Sequence, residues 1–218
     1  MSKENQITVD AYQKTAKQYL LNSVEHDHLD QEKAKRKKAK LEKFLKESFS
    51  SIPDGSKIFE IGSADGENAK YLESLGYQVT PSDIADDFLK AIQEQGLKPI
   101  RFHALDDEFK EKYFGILCWR VFVHFTREDA LKVLRKTYEA LEKNGIFVFN
   151  AINRETKDTD DEFVDFPGEY HMGIDRYYHY YSQDDLDSII HETNYETLHF
   201  HKEGGDEGNK WLVYVLKK

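Results

Sequence analysis

The chain has 218 residues, 39% hydrophobic and 33% charged, and carries a net charge of −10 at pH 7. This length suits one domain with a large core, and the composition excludes a disordered chain. The acidic total argues against a protein whose main task is holding nucleic acid, and the lone Cys118 excludes an internal disulfide or a cysteine-based zinc cluster.

The longest apolar stretch, Tyr113 to Phe125, is broken by Arg120 and is too short to span a bilayer. MSKENQITVD contains no apolar core that would serve as a secretory signal, so a cytoplasmic location is expected. Residues 1–50 are expected to form an N-terminal helical cap. Tyr12, Ala16, Tyr19 and Leu20 recur at helical spacing, followed by Leu41, Phe44, Leu45 and Phe49. Lys33 to Lys46 is lysine-rich; it reads either as a solvated helix face or as a strip for an anionic partner. The turn Ser51-Ile52-Pro53-Asp54-Gly55 closes this region.

Over residues 57–150 short apolar runs alternate with helical patterns. Strands are expected at Lys57–Ile61, Gln78–Thr80, Pro99–His103, Phe114–Trp119 and Gly145–Asn150, with helices at Glu67–Leu75, Asp87–Glu94 and Arg127–Leu141. The alternation implies a doubly wound, mostly parallel α/β sheet with right-handed crossovers. Residues 151–182 break the rhythm, first acidic, then aromatic from Phe163 to Tyr181; a long irregular insertion of this kind serves as a lid or binding loop. Residues 183–218 read as a helix, Gln183–Glu192, and an antiparallel hairpin of Tyr195–Phe200 and Lys210–Leu216 around a glycine-rich loop. No internal repeat is present, and 1–218 is read as a single domain. Scattered histidines such as His26 and His28 lack metal-ligand spacing, so no metal is expected.

The decisive stretch is Ile58-Phe59-Glu60-Ile61-Gly62-Ser63-Ala64-Asp65-Gly66: a strand ends in an acid, turns through a glycine-containing loop and enters a helix at Glu67. In open α/β sheets ligands bind at this carboxyl edge. A dinucleotide fingerprint has a third glycine and exposes helix amides to a pyrophosphate. Here Glu60, Asp65 and Glu67 intervene, and one carboxylate 5 Å from a phosphate costs roughly 3 kcal/mol at an effective dielectric near 20. The loop therefore suits a ligand carrying an ammonium and a sulfonium; Glu67 also reads simply as a complement to the helix dipole. Asp83 falls just after the second strand, seventeen positions beyond Gly66. It is placed to accept hydrogen bonds from both ribose hydroxyls of an adenosine, or to cap the helix that follows.

Glu60-x-Gly62-x-Ala64-x-Gly66 followed by Asp83-Ile84 resembles motifs I and II of class I S-adenosylmethionine-dependent methyltransferases, over roughly Lys57 to Asn150, with a weaker likeness of Tyr12 to Tyr19 to that family's first helix. The resemblance implies a Rossmann-like fold and S-adenosylmethionine as cofactor. It implies that Glu60, Gly62, Ser63, Ala64 and Gly66 line the methionine part and that Asp83 holds the ribose. It further implies that Ile84 packs on adenine, that Asp106 bonds the adenine amino group, and that Tyr19 and Trp119 border the cofactor. Ala64 departs from the family, where glycine is commonest.

Methyl transfer from a sulfonium is an in-line displacement, so catalysis is mostly positioning, plus proton removal where the nucleophile needs it. The candidates for positioning or base work are His124 from the fourth-strand loop and Tyr170, His171, Arg176 and Tyr178 from the expected lid. His124, between Val123 and Phe125, reads equally as a packed structural residue; Arg176 reads as a partner for an acidic substrate group or for the nearby acidic run. The leading expectation is methylation of oxygen or nitrogen on a small-molecule acceptor, by a monomer or homodimer. Two alternatives stay open: a tRNA methyltransferase, since Arg176-Tyr177-Tyr178-His179 with Tyr181 and Leu186 is loosely similar to the end of wobble-uridine enzymes, and a non-catalytic protein that only binds the cofactor. A nicotinamide oxidoreductase is disfavoured by the acidic loop.

Overall fold

The computed structural model describes residues 2–166, 171–204 and 209–218. Two helices lead the chain, α1 (Lys3–Leu29) and α2 (Gln31–Ser48), where one helical stretch had been expected. Asp30 divides them, its carboxylate accepting from the Lys33 amide as the cap of α2. The alternating region then gives β1 (Lys57–Ile61), α3 (Glu67–Ser74), β2 (Gln78–Asp83), α4 (Asp86–Glu94), β3 (Ile100–Arg101), β4 (Tyr113–Cys118), a 3-10 turn at Phe122–His124, α5 (Arg127–Ala140) and β5 (Leu141–Asn153). After it come β6 (Asp161–Val164), β7 (Arg176–Tyr181), α6 (Gln183–His191), β8 (Glu196–Glu203) and β9 (Trp211–Lys217).

The strands β3, β2, β1, β4 and β5 lie side by side in that order and run parallel, with Phe59 level with Thr80 on one side and Ile116 on the other. β9 enters antiparallel against β5, with Val148 opposite Val215, and β8 closes the sheet antiparallel to β9. The fold is therefore the doubly wound, mostly parallel sheet with an antiparallel C-terminal hairpin that the sequence implies. Side chains of successive strand residues go to opposite faces. Phe59, Ile116 and Phe149 join the core beneath α5 and α6, while Ile58, Leu117 and Val148 join the core beneath α2. Covering both faces explains why these strands read as unbroken apolar runs.

The segment expected to be an irregular insertion is more ordered than that. β6 and β7 pair antiparallel, and β7 continues the sheet by pairing parallel with Ile152 and Asn153 of β5. Because β9 already occupies one edge of β5 at Ile152, β7 takes the other edge, beyond the end of β4. Helix α1 crosses this corner: Thr8 Oγ1 accepts from the Tyr177 amide at 2.9 Å, and Thr15 Oγ1 lies 3.6 Å from Met172 Sδ. Among the described residues no helix is long and apolar enough to cross a membrane.

Candidate active site

β1 stops at Ile61, and the chain must turn at once to enter α3. Gly62 makes that turn at φ +71°, and a Cβ there would stand 2.3 Å from Val121 Cγ2, so both the conformation and the space demand glycine. Ala64 is also left-handed, at φ +47°, which costs an L residue about 1–2 kcal/mol. It is held there because its amide donates to Asp83 Oδ2 at 3.0 Å. Ser63 fastens the loop to β2: its amide donates to the Ser82 carbonyl at 2.8 Å, and its hydroxyl accepts from the Ser82 amide at 3.1 Å.

Asp83 accepts two further amides on Oδ1, from Ile84 at 2.7 Å and Ala85 at 3.2 Å. Burial nevertheless pushes its pKa up to about 6, against the pull of these three amides. A carboxylate offers about four acceptor positions. The structure therefore leaves Asp83 about one for a ligand hydroxyl, fewer than the pair anticipated from sequence.

Around this loop, α1, α2 and the carboxyl ends of β1, β2 and β4 enclose a cavity of about 530 Å³. Of the anticipated cofactor residues, Tyr19, Gly62, Ser63, Ala64, Asp83, Ile84 and Trp119 line it. Three do not. Glu60 points beneath the loop, where Oε1 accepts from Asn68 Nδ2 at 3.1 Å and Oε2 has no partner among the described residues. Burial raises its pKa to about 7, with bonds from Ser63 and Asn68 opposing. Gly66 is turned inward as the first cap of α3, its amide donating to the Ser63 carbonyl at 2.7 Å. Asp106 is turned away by the bend at 103–106 and stands 3.6 Å from His103 Nδ1; His103 itself lines the wall beside Phe102 and Ala104.

The loop side of the cavity is acidic. Asp65 and Glu67 lie on the wall, and Asp65 Oδ1 accepts from the Glu67 amide at 3.1 Å, so the start of α3 is already occupied by a carboxylate. Two lysines of α2 pair within the chain: Lys38 meets Glu67 at 3.1 Å and Lys40 meets Glu203 at 2.7 Å, tying α2 over the sheet edge.

The anticipated acceptor residues separate. His124 lines the cavity; His171, Arg176 and Tyr178 do not, and Tyr170 lies outside the described residues. His171 is solvent-facing and rests on Asp165 at 2.9 Å. Arg176, expected to meet a substrate or the acidic run at the surface, is fully buried, 3.5 Å from Asp165 Oδ1 and 3.4 Å from Tyr12 Oη. Tyr178 packs its ring on His124 at 4.7 Å and Phe166 at 4.8 Å. The cavity is also lined by α1, with Asn5, Thr8 and Tyr12 along one stripe, and by Val121 and Trp211. The signal for that stripe was present in the sequence as polar residues at helical spacing on an otherwise apolar face.

The Methyltransferase domain family matches residues 29–200, and the chain belongs to that family. No protein with a curated description matches the sequence. In structure the chain is similar to the PH0226 protein of Pyrococcus horikoshii OT3, at 14% identity and TM-score 0.69 over 85% of this chain and 91% of that one. It is also similar to a SAM-dependent methyltransferase of Methanosarcina mazei, at 15% identity and TM-score 0.66 over 78% and 95%. A glycopeptide N-methyltransferase solved with sinefungin shares the fold at 8% identity and TM-score 0.62 over 80% and 84%.

Proposed function

We propose that this methyltransferase-family protein binds S-adenosylmethionine in the acid-walled cavity and transfers its methyl group to oxygen or nitrogen of a small-molecule acceptor. The observation that carries this reading is the loop from Gly62 to Gly66, shaped by three left-handed residues and fastened to the buried Asp83, beside a cavity with carboxylates on its wall. A phosphorylated dinucleotide fits poorly, because the α3 amide that would meet it is satisfied by Asp65. A ligand with an ammonium and a sulfonium gains from the same carboxylates.

The cofactor supplies an electrophilic methyl group. Asp83 would hold a ribose hydroxyl, Ile84 and Phe88 would cover the base, and the turn at Gly62 would admit the methionine portion close to backbone. Tyr12, Val121 and Trp211 would exclude water and orient the acceptor, which is where such a displacement gains most of its rate. A tRNA acceptor is disfavoured by the burial of Arg176, Tyr177, Tyr178, Tyr181 and Leu186, which with the half-buried His179 carried that likeness, since buried groups offer no contact to phosphates.

The test is incorporation of isotope-labelled methyl from S-adenosylmethionine into a metabolite extract and into tRNA, read by mass spectrometry. Labelled small molecules are expected. Label confined to tRNA, with salt-dependent turnover, contradicts the acceptor class. Tight cofactor binding with no labelled product from either pool favours a protein that only binds.

A further inference from the structure

One cluster at the cavity belongs to no part of the cofactor reading. His124 Nδ1 lies 2.6 Å from the Tyr177 carbonyl, which only accepts, so that ring nitrogen carries the proton. Nε2 is then a bare lone pair, and Tyr12 Oη, 3.0 Å away, must donate to it. On its other side Tyr12 Oη accepts from Arg176 Nη1 at 3.4 Å. The single proton of Tyr12 is thus committed to His124, and its oxygen keeps one lone pair for a ligand in the cavity that Tyr12 lines. Tyr12 also packs against Phe88 and Tyr19, with Ala64 of the cofactor loop in the same cluster, so it stands between that loop and His124.

We propose that Tyr12 contacts the reacting group of the acceptor, and that Arg176 and His124 are positioning residues that fix its hydroxyl as accept-only and so select an amine nucleophile. This rests on the methyltransferase reading above. An accept-only oxygen binds N–H or O–H and rejects a bare carbonyl or carboxylate, which would meet lone pair with lone pair. Amine and alcohol then differ in their protons. A neutral amine attacks through its nitrogen lone pair: the N–C bond forms, the S–C bond breaks with its electron pair staying on sulfur, and the ammonium product sheds its surplus proton to water. An alcohol must lose its proton as the new bond forms, and the nearest basic nitrogen, His124 Nε2, already holds Tyr12 and lies close to the Arg176 cation. Among the described residues, the groups facing His124 are Tyr12, Arg176, the Tyr177 carbonyl and the Tyr178 ring, and none of these is an anion that would stabilise its charged form.

A substrate-free probe reads this directly. Sinefungin carries a primary amine where the cofactor carries its transferable methyl, so it places an N–H donor where the acceptor meets the cofactor. Calorimetry should show sinefungin binding at least tenfold tighter than S-adenosylhomocysteine to the wild type. In Tyr12→Phe that preference should fall at least fivefold, with S-adenosylhomocysteine affinity unchanged within twofold, which also shows that the fold and the cofactor reading stand. His124→Gln, which keeps an acceptor for the Tyr12 proton, should retain the preference, and His124→Leu should lose it. The same preference in wild type, Tyr12→Phe and His124→Leu overturns the role of Tyr12. Failure of S-adenosylhomocysteine to bind the wild type overturns the cofactor reading instead. Among labelled products, alcohols or phenols in place of amines overturn the nucleophile selection.

Discussion

Gly62→Ala concentrates several consequences of the loop geometry in one methyl group. Gly62 holds φ at +71°, so alanine there adopts a left-handed backbone at a cost of about 1–2 kcal/mol. The new Cβ would also stand 2.3 Å from Val121 Cγ2, well inside contact distance, and the β-branched Val121 has few rotamers through which to retreat. Overpacking of this kind adds about 1–3 kcal/mol, so the total loss is about 2–5 kcal/mol. Urea denaturation of the apoprotein measures it. Because Val121 lines the cavity, cofactor affinity should fall as well. A second substitution, Val121→Ala, should return the overpacking part and leave the backbone part, giving a coupling of about 1–3 kcal/mol in a double-mutant cycle. A Gly62→Ala protein within about 0.5 kcal/mol of wild type, the range of an ordinary surface change, would show that the loop is not built as described.

Asp83→Ala should weaken S-adenosylhomocysteine by about 1–3 kcal/mol, since it removes a charge-assisted bond and releases the Ala64 amide that holds the loop; unchanged affinity by calorimetry rejects the ribose role. Glu60 has a folded pKa of about 7 against 4.5 ordinarily, so the fold favours its protonated form; the stability it contributes is full below pH 4.5 and is lost as pH rises through 7. Glu60→Gln should therefore gain on wild type by on the order of 3 kcal/mol between pH 5 and 8, and a difference flat in pH refutes the burial argument. Burial pushes the His124 pKa down to about 3, with the nearby Arg176 cation also lowering it and the Tyr177 carbonyl opposing. Nitrogen-15 NMR should find His124 neutral and protonated on Nδ1 from about pH 5 to 8, and a titration near its usual 6.5 contradicts the hydrogen-bond assignment.

The parts of this molecule legible in sequence are those fixed by local chemistry. The run Ile58–Gly66 names a strand, a tight turn and a helix start within nine residues, because apolar β-formers, a positive-φ glycine and an acidic first turn each act on their own neighbourhood. Asp83 was legible for the same reason, standing at the end of its strand. The aromatic segment was not. In β7 the residues Arg176, Tyr178 and Tyr180 share one face and Tyr177, His179 and Tyr181 the other, so both faces are aromatic and no polarity alternates along the strand. Its partner is the far end of β5, a pairing between residues almost thirty positions apart that no local signal announces. Arg176 was misplaced by the same blindness: an arginine beside an acidic run reads as surface, yet Tyr12 of α1, Tyr178 of its own strand and Asp165 just past β6 assemble a buried site for it. β3 shrank to two residues because it pairs only with β2, at the sheet edge.

The claim on which everything rests is that the carboxylate-walled cavity takes a sulfonium nucleoside in preference to a phosphorylated one. Side-by-side calorimetry of the apoprotein with S-adenosylmethionine and with NAD measures it directly. Saturable one-to-one binding of S-adenosylmethionine with no heat from NAD is the expected result; binding of NAD without S-adenosylmethionine would contradict it.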